Sequence, residues 1–237
     1  MTREHGRTQA EVEARIGAGR GRGYLRDTVY GAIDGAVTTF AIVAGVVGAG
    51  LSPGVIIALG IANVLADGFS MAAGNYSGTK AELDDMQRLR RVEGRHIDED
   101  PAGERRELRE ILLQKGLSGD VLEAATDQIA ANRAASIQLM LVDEYGLAPV
   151  DPHPMRAALA TFGAFLLAGL IPLIPFLFSM TDAFRLSILM TGLVFFGIGA
   201  AKSAWSLAPW WRSGGETLAI GALAAAIAYF VGTLFHA

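Results

Sequence analysis

The chain contains no cysteine. Disulfides, zinc–thiolate sites and iron–sulfur clusters are therefore excluded, and thiols give no clue to redox compartment. Charge is also scarce, with 19% of the 237 residues Asp, Glu, Lys or Arg. The scarcity is uneven. Residues 78–155 hold ten Lys/Arg and sixteen Asp/Glu, a net of −6, and residues 1–27 hold six Arg against four acids. Four basic and four acidic residues remain for everything else. The first 27 residues lack the apolar core of a signal peptide. No strand pattern and no internal repeat stand out, and no nucleic-acid partner is expected.

What is present is apolar length. Hydrophobic residues make up 51% of the chain and mean hydropathy is +0.36. A helix needs about 20 mostly apolar residues to cross a bilayer. Five stretches qualify: 28–50, 53–76, 157–178, 184–204 and 216–235. The expected fold class is all-α, a polytopic membrane protein with five transmembrane helices and a cytosolic helical insert between spans two and three. The expected domains are a disordered N-terminal arm (1–23), spans one and two (24–77), a cytosolic helical metal-binding domain (78–155) and spans three to five (156–237). The 29 glycines suit close helix packing in lipid, and Gly31 and Gly35, with Gly74 and Gly78, are the expected contact points of spans one and two.

Lys and Arg near the span ends set orientation. The Arg-rich arm, Lys80, Arg88, Arg90, Arg91, Arg156, Lys202 and Arg212 all fall on one side of the membrane, and the turns at 51–53 and 179–183 carry neither residue. The N-terminus and the insert are expected in the cytoplasm and the C-terminus outside. The composition suggests a bacterial plasma membrane. Trp205, Trp210 and Trp211 read as an interfacial belt.

The insert reads as four helical stretches: 82–97, 101–115, 120–132 and 134–145, with Ser118 as an N-cap and Gly116 and Gly146 as stops. Asp151-Pro152-His153-Pro154 reads as a stiff linker. Glu104, Glu107 and Glu110 recur every three residues and share a helix face, Glu93 and His96 are three apart, and Met140 and Glu144 are four apart. Oxygen-rich sets with one imidazole and one thioether suit Mn²⁺ or Fe²⁺. The competing reading is a solvated charged face, because Arg105, Arg106 and Arg109 are interleaved with the acids.

Inside the spans, Asp34 lies about six residues into the first and Asp67 about nine residues before the end of the second. Such groups cost roughly 2.5–3.5 kcal/mol at a helix centre, and chains keep them where they line a pathway or pair with something. Neither span holds a Lys or Arg to pair with them. Asn63, Asp67, Ser70 and Met71 fall at i, i+4, i+7 and i+8, one stripe of the second span. A rise of about 1.5 Å per residue puts Asp34 and Met71 at similar depth. Asp34, Asn63, Asp67 and Met71 are therefore candidate pathway residues, although Met71 taken alone reads as packing.

Several of these segments resemble the vacuolar iron transporter family. Tyr30-Gly-Ala-Ile-Asp34-Gly35 resembles the start of its first span, and Ala66-Asp67-Gly68-Phe69-Ser70-Met71-Ala72-Ala73-Gly74-Asn75-Tyr76 resembles its second. Met140-Leu-Val-Asp-Glu144-Tyr-Gly146-Leu resembles the end of its cytosolic domain, and Leu170-Ile-Pro172-Leu-Ile-Pro175 its third span. The resemblance implies a homodimer with the pathway between protomers, carrying Fe²⁺ or Mn²⁺ out of the cytosol in exchange for protons. It implies no enzyme activity and no prosthetic group, the ion being the substrate. It makes Asp34 and Met71 pathway residues and gives the insert's helices metal ligands, of which Met140 and Glu144 carry over directly. Glu93, His96 and Glu99, like Glu104, Glu107 and Glu110, each permit two registers of the family's Glu-x-x-Glu pairs. Some family members carry Glu where this chain has Asn63, so either a proton carrier is missing or Asp67 takes the role. A membrane-anchored metal store or sensor without flux is the alternative, and a passive cation channel a third.

Overall fold

A computed structural model of the protein describes residues 8–17, 23–148, 152–205 and 207–235. Among these residues there is no strand. The helices are α1 (Gln9–Gly17), α2 (Leu25–Gly48), α3 (Pro53–Glu99), α4 (Pro101–Gln114), α5 (Gly119–Ala130), α6 (Arg133–Asp143), α7 (Pro154–Leu170), α8 (Ile174–Leu177), α9 (Ala183–Lys202) and α10 (Trp210–Thr233). The chain divides into two compact units. One contains Thr79–His153 with the N-terminal residues to Arg22, and the other contains Gly23–Gly78 and Pro154–Ala237. Helix α3 contributes residues to both.

The second unit carries the apolar helices. Among the described residues five helical stretches are long and apolar enough to cross a membrane: Leu25–Gly48, a part of Pro53–Glu99, Pro154–Leu177, Ala183–Trp205 and Trp210–Thr233. Large apolar side chains such as Leu59, Phe69, Leu167, Leu193 and Phe230 lie exposed on them. An apolar surface of that extent is suited to lipid and not to water. Helix α2 packs against α7, α9 and α10, and α9 packs against α10. Phe40, Val43 and Val46 of α2 meet Ile56 and Val64 of α3, with Leu173 and Phe176, in a buried cluster. In lipid such a cluster is held by close packing more than by escape from solvent.

Two glycines explain how closely α2 approaches α7. A Cβ at Gly31 would collide with the Thr161 backbone, and one at Gly35 would sit 2.9 Å from Phe165 Cα. The small residues of span one therefore face span three. Gly74 and Gly78, expected as their counterparts, have open space where a Cβ would stand.

Two spans depart from the expected helices. The third is broken: α7 gives way to a 3₁₀ turn at Ile171–Leu173 and then to α8. Pro172 and Pro175 lack the N–H groups that would bond the carbonyls of Ala168 and Ile171 in an unbroken helix. The Ile171 carbonyl accepts from the Ile174 N–H instead, and the Pro172 carbonyl accepts from Ser187 Oγ of α9 at 2.7 Å. The fifth span begins at Trp210, six residues earlier than its apolar core suggests. Pro209 precedes it, and Arg212 and Glu216 pair at 3.3 Å one turn apart, which lets charged residues occupy the first turns.

The first unit is all helical. Asp100 caps α4, its carboxylate accepting from the Gly103 N–H at 2.9 Å, and Gly116 follows that helix at φ +94. Asn132, expected inside a helix, instead caps α6 by accepting from the Ala135 N–H at 3.2 Å. Ser118 precedes α5 without a side-chain capping bond. Nine residues of the arm expected to be disordered form α1. Residues 1–7, 18–22 and Asp151 of the expected stiff linker lie outside the described residues.

Candidate metal centre and membrane polar stripe

In the first unit the helix ends bring three ligand-bearing residues together. Glu93 and His96 sit one turn apart near the end of α3, and Glu104 stands in the first turn of α4. One ligand atom from each lies within 4.8 Å of the others. His96 Nδ1 is 3.5 Å from Glu104 Oε1 and 3.7 Å from Glu93 Oε1. Both carboxylates are buried, while His96 is half exposed. Tyr145 donates its phenolic hydrogen to Glu93 Oε1 at 2.8 Å. Glu93 Oε2 and Glu104 Oε2 are buried and have no hydrogen-bond partner. A buried carboxylate oxygen without a donor is costly, and a cation would remove the cost.

The electrostatics extend the cluster. Burial, then the charges of Glu93 and Glu107, push Glu104 up to about 7, with His96 opposing and Glu144 adding to the rise. Burial, then Glu93 and Glu107, also raise Glu144. Glu93, His96, Glu104, Glu107 and Glu144 thus act on one another as a group. Met140 is fully buried on α6, one turn before Glu144. Glu99 and Glu110 are exposed, and Glu110 accepts from Gln114 at 3.2 Å. Of the α4 acids Glu104 is buried beside Glu93 and His96, while Glu107, exposed like Glu110, acts on it through its charge.

The interleaved arginines pair with other acids, Arg106 approaching Asp100 at 3.7 Å. Arg105 pairs with Glu123 at 2.9 Å and Asp127 at 2.8 Å, and Arg109 pairs with Glu123 at 2.7 Å. Those bonds tie α4 to α5 and hold Glu123 below the usual carboxylate range. Arg133 binds Asp98 and the Gly94 carbonyl, tying α6 to α3. Arg105, Arg109 and Arg133 thus have carboxylate partners other than Glu104 and Glu107.

In the second unit, α2 and α3 face each other along a polar stripe. Asn75 Nδ2 donates to Asp27 Oδ1 at 2.9 Å and to Thr161 Oγ1 at 2.7 Å. Asp34 of α2 and Asp67 of α3 fall between this level and the next. Asn63 Nδ2 donates to Thr38 Oγ1 at 3.3 Å, and Thr38 bonds back to the Asp34 carbonyl. These levels span eleven residues of α2, about 17 Å at 1.5 Å per residue. Met71 lines a cavity of about 340 Å³ together with Arg26, Asp27, Tyr30, Gly74, Asn75 and Thr161. Asp34 is not among that cavity's lining residues, so Met71 keeps company with Asp27 one level away. Asp27 was the residue that sequence reasoning missed. Its signal was a seven-residue spacing from Asp34, matched by the eight residues between Asp67 and Asn75.

Comparison with known proteins agrees with this architecture. A model of the VIT family matches residues 25–233. Vacuolar iron transporter 1 of Arabidopsis thaliana is 33% identical over 208 residues, covering 86% of this chain and 83% of its own length. The vacuolar iron transporter of Centaurea cyanus is 34% identical over 209 residues, covering 86% and 85%. That of Toxoplasma gondii is 37% identical over 157 residues, covering 65% of this chain and 52% of its own length.

Proposed function

The chain belongs to the VIT family, and from that premise we propose that it carries Fe²⁺, and Mn²⁺ alongside it, out of the cytosol across a membrane in exchange for protons. It is a transporter in this reading and catalyses no chemical conversion. The observation that carries the reading is the polar stripe of the facing spans, where the Asn75–Asp27 and Asn63–Thr38 hydrogen bonds bracket Asp34 and Asp67. Two carboxylates in a poorly solvated setting are stabilised by a shared cation or by protons, which is what an exchanger needs.

The roles follow the stripe. The helical unit collects the ion through Glu93, His96, Glu104, Glu107, Met140 and Glu144. Met71 and Asp34 then pass it into the membrane unit. Asn63 cannot carry a proton at neutral pH, and its amide is bonded to Thr38. Asp67 therefore takes the proton-carrying role. The working form is a homodimer, with the α2–α3 stripe near the face shared by two copies. The N-terminus and the insert face the cytoplasm and the C-terminus lies outside, as the distribution of Lys and Arg supports. The membrane is a bacterial plasma membrane on composition, whereas the relatives' names point to the vacuole.

The test is flux in proteoliposomes. Fe²⁺ uptake should respond to a pH gradient, and Asp34→Ala should abolish it; wild-type flux in that variant would sink the assignment. The cluster of Glu93, His96 and Glu104 also favours a second reading, a membrane-anchored store that binds without flux. Removing residues 82–148 separates the two, because a transporter retains residual flux and a store loses all metal handling.

A further inference from the structure

We propose that His96 is the ion-discriminating ligand of the cluster in the helical unit. Its imidazole nitrogen gives that centre a steeper preference for nitrogen-binding ions, Co²⁺ and Zn²⁺ over Fe²⁺ and Fe²⁺ over Mn²⁺, than carboxylates alone would give. The inference rests on reading that cluster as a metal centre, as proposed above.

Geometry is the first argument. His96 Nδ1 lies 3.5 and 3.7 Å from one oxygen each of Glu104 and Glu93. Those separations exceed a good N–H···O hydrogen bond, about 2.7–3.2 Å, so the ring is not locked to either carboxylate. They do match the spacing of donors around one ion, where each metal–ligand bond is roughly 2.0–2.2 Å. The second argument is what the neighbours lack. Glu93 Oε2 and Glu104 Oε2 are buried with no partner, and both residues are more than nine-tenths buried. Arg105 and Arg109 are committed to Glu123 and Asp127, so neither is paired with those oxygens.

The third argument is chemical. The other donors of the cluster are carboxylate oxygens, and oxygen donors rank first-row divalent ions weakly. Imidazole follows the rising order from Mn²⁺ through Fe²⁺ and Co²⁺ more steeply and suits Zn²⁺. One nitrogen among oxygens is therefore the donor with most influence on the ratio of affinities. His96 is also half exposed, so its ring contributes little to packing.

The experiment is competition binding of Mn²⁺, Co²⁺ and Zn²⁺ to the full-length protein in detergent. Wild type is compared with His96→Glu and His96→Gln, and a Glu93→Gln/Glu104→Gln double variant gives the background from other sites. The Zn²⁺-to-Mn²⁺ affinity ratio should fall about tenfold or more in both His96 variants. His96→Glu should keep its Mn²⁺ affinity, and the visible Co²⁺ spectrum should change as the nitrogen ligand is lost. An unchanged ratio and an unchanged Co²⁺ spectrum in His96→Glu would overturn the role of His96 while leaving the metal centre standing. Wild-type binding no greater than that of the double variant would overturn the metal centre itself.

Discussion

The Tyr145 hydroxyl donates to Glu93 Oε1 at 2.8 Å, joining the second residue past α6 to the buried acid of α3. It donates to a carboxylate whose other oxygen is buried without a partner. Burial, then the bond and charge of Glu93, raise the phenol above its ordinary range, so it stays a donor at every physiological pH. Tyr145→Phe should destabilise the metal-free helical unit by about 1.5–3 kcal/mol, the range for a hydrogen bond to a charged group. Saturating Mn²⁺ should restore part of that loss, because the ion takes over the charge of Glu93. Hydrogen exchange of α6 amides with and without Mn²⁺ reads both effects, and unchanged protection in the variant would contradict the role given to the bond.

The contact of α2 with α7 makes a second prediction. A methyl at Gly35 would lie 2.9 Å from Phe165 Cα and 3.0 Å from its carbonyl carbon. Both are backbone atoms, so one helix must move. Gly35→Ala should cost about 1–3 kcal/mol, as overpacking does. Gly74→Ala, in open space, should be neutral or gain up to about 1 kcal/mol of helix propensity. Thermal unfolding in detergent should separate the two variants; equal midpoints would mean that the helices have slack.

The third prediction concerns pH. Glu104 is raised from 4.5 to about 7. Below pH 7 it holds a proton that an incoming ion must displace, so metal affinity should fall about tenfold per pH unit as pH drops below 7 and level off above it. The metal-free fold has the opposite dependence. Glu104 contributes most below pH 4.5, where it is protonated in both states, and that contribution is lost as pH rises toward 7. Calorimetry at pH 6 should count about one proton released per ion, and Glu104→Gln should remove that proton.

Much of this was legible in advance, for reasons that differ by residue. The spans follow from apolar length, which requires no tertiary knowledge. The stripe Asn63, Asp67, Met71 follows from helical periodicity on α3. Its partners did not follow, because they depend on the register of two antiparallel helices. The contacts Asp27–Asn75 and Thr38–Asn63 share one register, with Asp34 and Asp67 between them. That register pairs Met71 with the level of Asp27 and Tyr30 in place of Asp34. Asp27 itself was hidden among the charges of the Arg-rich arm. In the helical unit, spacing left Glu104, Glu107 and Glu110 equivalent. What sets Glu104 apart is its burial beside Glu93 and His96 of α3, a long-range arrangement that no local pattern encodes.

The break in the third span bears on how the protein is made. The Pro172 carbonyl accepts from Ser187 on the following span. Until α9 arrives, that oxygen sits in a stretch where two amide donors are missing, and hydrocarbon offers no substitute. The third and fourth spans are therefore expected to leave the insertion machinery as a hairpin, with the short turn between them serving as a folding step and not merely a connector. Ser187→Ala should slow membrane integration of that pair in a cell-free insertion assay.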